Sequence, residues 1–402
     1  MDTIPDRHAN RRVVVVGGGV FGATAAVELA TRGWQVTVLD PAPLPAAGAS
    51  STDVSKVVRS DYGSDVFYHD LGEASIDGWH RWNRDWPVAR YHEDGFILLA
   101  GRPMQPGGYE FETRRVLEDR GRRPVALSSP EVKSRLEHVA PDAAQHGYFN
   151  PRAGWAESGA VVSQLLELAA ALGVDFIQDG MLELASDGSI VSGVVTTSGR
   201  LVPGDRVVLA AGAWTPRLAP WLQSHLWPVA QPVVHLSVEN PDEFRGERFV
   251  PWAYDISSTG WYGFPALDNG HLKIGHHGPG NRLDPDERGT VDSDHDERLR
   301  AFLGAVFPTL LDAPIVHRRV CMYCDSFDGD LLIGEAPDRD GVIIATGGSG
   351  HGFKFAPMLG GIIADAVERR PNPWESRLGW REATQHRTEE ARYSDRSRED
   401  RP

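Results

Sequence analysis

Arg12-Val-Val-Val-Val-Gly17-Gly18-Gly19-Val20-Phe21-Gly22, continued by ATAAVELATRGWQVTVLD to Asp40, is the stretch that decides the fold. Residues 13–16 are an apolar run short enough for a strand buried on both faces. GGGVFG makes a turn, residues 23–32 carry the small and apolar side chains of a packed helix, and residues 35–39 form a second strand ending at Asp40. Together these are the βαβ unit of a parallel sheet; the other reading is a buried helix with an incidental glycine cluster. Gly17, Gly19 and Gly22 form GxGxxG. The first permits a tight turn, the second lets backbone N–H groups reach a pyrophosphate at the helix N-terminus, and the third lets helix and strand pack closely. Asp40 stands where a carboxylate can accept ribose hydroxyls. The pattern points to a dinucleotide and does not choose between FAD and NAD.

Working outward, 402 residues exceed one ordinary core, so two joined domains are expected. Lys+Arg 41 against Asp+Glu 56 leaves a net charge of −15, which disfavours nucleic acid and anionic membrane as partners. The two cysteines, Cys321 and Cys324, are too few for a secreted disulfide framework. Neither a signal peptide nor a membrane span is expected, because MDTIPDRHANRR is polar and the valine run ends in glycines after four residues. A cytoplasmic location and a monomeric state are the expectations.

Residues 41–52, PAPLPAAGASST, read as a loop able to approach a ligand. A helix is expected at 67–82. The segment 91–145 mixes a short strand, GFILLAG, with loops and a charged helix. Residues 165–172 have helical spacing, VDFI at 174–177 returns to the first domain, and a strand at 206–209 runs into the turn AAGAW, 210–214. From 220 to 320 strands and turns alternate (WYGFPALDNGHLKIGHH), as in an antiparallel sheet, and 341–367 read as strand, glycine-rich loop and helix. The expected division gives one domain 10–90, 146–220 and 321–376, and the other 91–145 and 221–320. A charged tail, 377–402, shows no apolar face from Arg381 and is expected to be loosely held.

Cys321, by residue type alone, reads as a small buried hydrophobe. C-x-x-C lacks the second pair a zinc site needs, and CMYCDSFDGD does not read as the helix N-terminus of a dithiol redox pair, so no metal is expected. The surrounding motifs are more specific. RRVCMYC, then FDGDLLI, then IATGGSGHGFKFAP, with SKVVRSDYG at 55–63, YGFP at 262–265 and LKIGHH at 272–277, resemble the monomeric sarcosine oxidase family in order and spacing over nearly the whole chain. TDVSKVVRSDYG, AGWAESGAVV and IATGGSGHGFKF are similar to the amadoriases, the fructosyl amino acid oxidases of the same D-amino acid oxidase superfamily.

The resemblance implies a mixed α/β fold, a Rossmann-like FAD-binding domain of glutathione-reductase type with an antiparallel β-sheet substrate domain. It implies FAD joined through a thioether to Cys321 and contacted at Gly17, Gly19, Val20, Phe21, Gly22, Asp40, Ser50, Lys56, Leu182, Ala211, Gly212, Trp214, Gly348, Gly350, His351, Gly352, Phe353 and Lys354. Arg59 and Lys354 would hold a substrate carboxylate, as cationic forks do well. Lys273 falls at the position of the family's oxygen-activating lysine, where a fixed ammonium steadies the anion that O2 becomes on taking an electron. Tyr262, His277 and Tyr323 would line the substrate cavity; the plain alternative for each is a packed aromatic with a satisfied polar tip. Thr52 replaces a histidine of sarcosine oxidase and Lys56 an arginine, so sarcosine itself is not assured. The implied reaction is hydride transfer from a secondary amine or N-substituted amino acid to flavin, with O2 reduced to H2O2. Competing readings are an FAD-dependent dehydrogenase or tailoring enzyme acting on a cyclic amine, an NAD enzyme, and a non-catalytic flavin-binding subunit.

Overall fold

Arg12–Val16, Val20–Thr31 and Gln35–Asp40 are strand, helix and strand, as the opening stretch predicts. The computed structural model describes residues 11–291 and 293–393. They divide into two compact units: residues 11–54, 157–228 and 323–387 form the first, and 55–156, 229–291, 293–322 and 388–393 the second. The chain leaves the first unit at Val54, well before the expected position near 90. The reason is local: Lys56–Val58 already pairs as a strand with Gly154–Ala156 of the second unit, so the long helix Val66–Asp85 begins there too.

In the first unit Arg12–Val16 lies between Gln35–Asp40 and Arg206–Leu209, all parallel, with Asp175–Gln178 and Val342–Thr346 extending the sheet in parallel and Leu332–Glu335 closing it antiparallel. These strands read as continuous apolar runs because helices cover them, and Val14, Val16, Leu39, Val207, Leu209, Val342 and Ile344 share one core cluster. The helices Val20–Thr31 and Ala356–Glu368 pack closely because their contact is glycine on backbone: a Cβ at Gly360 would stand 2.6 Å from Thr24 O. A small antiparallel sheet, Met181–Asp187, Ile190–Thr196 and Leu201–Pro203, completes this unit.

The second unit is built on a nine-stranded sheet in the order Asn281–Arg282, Leu226–Ser237, His271–His276, Trp261–Ala266, Trp252–Tyr254, Phe96–Ala100, His146–Asn150, Val125–Ser128, with Ile315–Ser326 also on Leu226–Ser237. Neighbours along that path are antiparallel except Trp252–Tyr254 against Phe96–Ala100. Strand alternation sorts its side chains. One face carries Ile97, Leu99, Trp252, Trp261, Leu272 and Ile274 onto Leu299, Phe302, Leu303 and Val306 of the helix Ser293–Val306. The sequence reading of 220–320 as strands and turns missed this helix. Its charged first turn, SDHDER, draws attention from apolar positions spaced i, i+3, i+4 and i+7. The other face carries Phe96, Leu98, Tyr148 and Ala253.

The segment from Arg381 is not loosely held as far as it is described. Arg381 Nε donates to Asp328 at 2.6 Å and Arg387 Nη2 to Asp330 at 2.5 Å; further on, Ala391 and Arg392 are buried. Charges hold this segment, through buried carboxylates, and hydrophobic periodicity does not register that. Residues 394–402 of the expected tail lie outside the described residues.

Candidate active site

The glycine turn of the first unit is shaped by close approach. Gly17 adopts φ +103, and a Cβ there would lie 2.7 Å from Ala210 O; a Cβ at Gly22 would lie 1.8 Å from Gly17 O. Only glycine fits either place. Gly19 differs: a Cβ would meet only Ser51 Oγ, at 3.3 Å. Gly19 caps the N-terminus of Val20–Thr31, which has no acidic residue in its first turn and no side-chain cap. Val20 N–H donates to Ser51 Oγ at 3.2 Å. Asp40 accepts from Gly18 N–H at 2.8 Å and Ala42 N–H at 3.0 Å, which fixes its carboxylate beside the turn. A glycine turn at a helix N-terminus, met by one serine hydroxyl and with an oriented carboxylate alongside, fits the pyrophosphate and ribose of a dinucleotide.

The third stretch of this unit returns to the same turn. Phe21 stands against the second glycine loop, where a Cβ at Gly352 would lie 3.1 Å from its ring and one at Gly348 3.6 Å. Gly350, at φ +81, lies against Tyr323, whose ring a Cβ would meet at 2.2 Å. Lys354 is buried in the turn Gly352–Phe355 and donates to His351 O at 3.0 Å; His351 Nε2 meets Gly329 O at 3.0 Å, and Phe353 is buried beside them. Gly212 and Trp214 bound a short 3-10 turn after Ala211. The buried Thr215 hydroxyl just beyond finds no partner among the described residues. Leu182 is 60% exposed beside a bulge while its neighbour Met181 is in the core, so the implied contact falls on a solvent-facing side chain. Ser50 begins the turn Ser50–Thr52, but Ser51 is the serine that reaches the glycine loop.

Cys321 and Cys324 are both free and buried in Ile315–Ser326, three residues apart and therefore on opposite faces of the strand. Cys324 belongs to the first unit's core, and burial pushes its thiol up to about 11, against bonds from Thr346 and Gly347. Cys321 shares its face with Tyr323.

In the second unit, Lys273 pairs across strands with His235, and Tyr262 with Gly275. Lys273, Gly275, Tyr262 and Phe264 thus share the sheet face opposite the helix Ser293–Val306. Gly275 makes room for Tyr262, whose hydroxyl a Cβ would meet at 2.4 Å. The Lys273 ammonium, 2% exposed as a residue, donates to Ser55 O at 2.5 Å and lies 4.7 Å from the Phe264 ring centre. Lys56 begins the strand just after Ser55 and is half-buried.

Arg59 follows that strand and is buried over Phe96 and Tyr62, at 5.7 and 5.4 Å from their ring centres, with Nη1 donating to the Tyr109 hydroxyl at 2.9 Å. Burial opposes its charge, but Tyr109, Glu389 and Asp61 hold its pKa above the ordinary value. Asp61 is fixed by the Tyr148 hydroxyl at 2.7 Å and Asn150 Nδ2 at 2.9 Å. His277 Nε2 lies 2.9 Å from Glu389 Oε2. His276, by contrast, is pushed down to about 4 by burial first, then by His295 and Arg298. The structure therefore brings Arg59 and His277 to a common partner, Glu389, and adds Asp61, Tyr109 and Ser51, none of which the motifs marked. Asp61 lies inside SKVVRSDYG and was legible in principle; Glu389, in a run of charges, was not.

Curated relatives match along the chain's length. Monomeric sarcosine oxidase of Bacillus sp. is 26% identical, covering 88% of this chain and 90% of that protein. L-saccharopine oxidase of Schizosaccharomyces pombe is also 26% identical, covering 93% and 94%. The solved structure of Aspergillus fumigatus fructosamine oxidase, Amadoriase II, in complex with FSA superposes with a TM-score of 0.83 at 26% identity, over 96% of this chain and 94% of that one. The model of the FAD dependent oxidoreductase family, DAO, matches residues 12–366, and the chain belongs to that family.

Proposed function

We propose that this protein is an FAD-dependent oxidase of secondary amines that forms an imine and releases hydrogen peroxide. The observation that carries the reading is Lys273: an ammonium fixed on the sheet face that also holds Tyr262. A buried ammonium is costly for stability, and its value lies in meeting negative charge. The relatives' names support the substrate class, since sarcosine, saccharopine and fructosamine each carry a nitrogen bonded to two carbons.

FAD, when bound, supplies the hydride acceptor and passes the electrons on to O2. The protein's part is binding, orientation and charge. The turn at Gly17–Gly22 and Asp40 hold pyrophosphate and ribose; Cys321 is the thiol for covalent attachment, while Cys324 is sequestered in the core. Arg59 is a buried cation of the second unit for an oxygen atom of the amine, and Tyr262 shapes the face on which the amine rests. Fixing the reacting C–H against its acceptor is where most of the rate arises.

The test is anaerobic mixing of the FAD-loaded protein with N-alkyl amino acids, cyclic imino acids and fructosyl amino acids. Bleaching of the flavin band, followed by stoichiometric peroxide on admitting air, is expected for at least one class. Bleaching without peroxide would replace the oxidase with a dehydrogenase, and no bleaching by any amine would end the reading.

A further inference from the structure

The end of the described chain brings a carboxylate to the very arginine that would meet a substrate's acid. The Glu389 side chain is 6% exposed; its Oε1 lies 4.0 Å from Arg59 Nη2 and its Oε2 2.9 Å from His277 Nε2. Arg59 is equally sheltered, between Tyr62, Phe96 and Tyr109. A guanidinium so far from water is unfavourable alone, and Glu389 offsets its charge.

The segment bearing Glu389 is seated at several points. Glu390 accepts from Ser64 N–H at 3.0 Å and from its hydroxyl at 2.7 Å. Arg392 Nε donates to Gly278 O at 2.9 Å, and Tyr393 N–H to His277 O at 3.0 Å. Ala391 is fully buried in the cluster of Phe96, Tyr109 and Tyr148. Gly63, at φ +60, leaves room for Glu390, whose Oε2 a Cβ would meet at 1.9 Å. A segment anchored in this way is part of the wall and not a passing strap. The charge of Arg59 is therefore balanced before any substrate arrives. With Glu389 and Asp61 both already supporting the charge of Arg59, a substrate carboxylate would add a further like charge beside one guanidinium in a dry place, whereas an uncharged oxygen adds none.

We propose that Glu389 is a specificity-determining residue: it holds the charge of Arg59 and so selects amines that present an uncharged group there, an amide, ester or hydroxyl, over those presenting a carboxylate. This rests on the reading of the second unit as the amine-binding part of an FAD-dependent oxidase.

The probes are N-methylglycine and N-methylglycinamide, which differ only in carboxylate against carboxamide, with acetate and acetamide as non-reacting ligands read through the flavin spectrum of the holoenzyme. Wild type should show the lower KM for the amide and the tighter binding of acetamide. Glu389→Gln should shift the KM ratio toward the carboxylate by about tenfold or more and tighten acetate by a similar factor. Glu389→Asp, which keeps the charge, should retain the wild-type preference. An equal ratio in wild type and Glu389→Gln overturns the proposal. Should Glu389→Gln lose its flavin, wild type alone decides, since acetate bound more tightly than acetamide overturns it as well. If neither amine reduces the flavin, the oxidase reading loses these substrates while the acetate titration still reports on Arg59, so the two failures are distinguishable.

Discussion

Lys273→Met removes one buried charge while nearly conserving side-chain length. Two effects separate. In the resting protein Ser55 O loses the donor now 2.5 Å away, a cost of about 1–3 kcal/mol for a buried acceptor. Against it stands relief from holding an ammonium in a residue 2% exposed, so the net change in stability should be about 1 kcal/mol or less in either direction. In the reaction, an ammonium about 4–6 Å from a forming anion, at an effective dielectric of about 20, contributes about 3–4 kcal/mol, or about 10²- to 10³-fold in rate. On the role proposed for Lys273, that effect belongs to the reaction with O2 and not to hydride transfer. Stopped-flow absorbance with the halves measured apart should therefore show near-normal anaerobic reduction by the amine and reoxidation slowed by two to three orders of magnitude. Thermal unfolding of the same sample checks that the fold survives. Wild-type reoxidation in the variant would refute the argument, and equal slowing of both halves would make Lys273 a general support of the site.

Cys321→Ala should release flavin into the supernatant on acid precipitation, while Cys324→Ala, which empties a core position of the first unit, should keep the bond and lose some stability; the reverse pattern would move the attachment. Gly19→Val should fold yet purify colourless, because the nearest atom to a Cβ there is the movable Ser51 hydroxyl at 3.3 Å, while the branched methyls would stand over the helix N–H groups; full FAD content would remove the turn from the cofactor site. Burial raises the Glu110 carboxyl to about 7, against local backbone bonds and with Asp255 adding to the rise. The native state then keeps this proton longer than the unfolded chain does, so the stability it contributes is full below the ordinary carboxylate range and falls as pH climbs toward 7, by at most about 3 kcal/mol. Urea unfolding at pH 5 and 8.5 should show that loss in wild type and a flatter response in Glu110→Gln; parallel curves would assign the pH dependence elsewhere.

What the sequence made legible followed from short-range rules. The turn at Gly17 was readable because strand, glycine spacing and Asp40 all lie within one βαβ unit, and Lys273, Arg59 and Tyr262 became candidates because motifs flank them. Legibility fails where the determinant is far away. Nothing near Glu389 says that it will face Arg59, since the pairing is made by Ser64, Gly278 and His277 holding its neighbours. Nor does a run such as REATQHRTEE reveal that Asp328 and Asp330 wait for its arginines. The exit from the first unit at Val54 was misplaced for a similar reason: its marker is the pairing of Lys56–Val58 with a strand about a hundred residues later.

Because residues 388–393 close the wall around Arg59, the order of synthesis matters to this chain. A growing polypeptide folds domain by domain from its N-terminus, yet each unit here is assembled from three separated stretches, and the second receives the stretch from Thr388 only after all three stretches of the first have been made. Arg59 is made 330 residues before Glu389 (389 − 59), so a growing chain has Asp61 beside that arginine long before it has the carboxylate of Glu389.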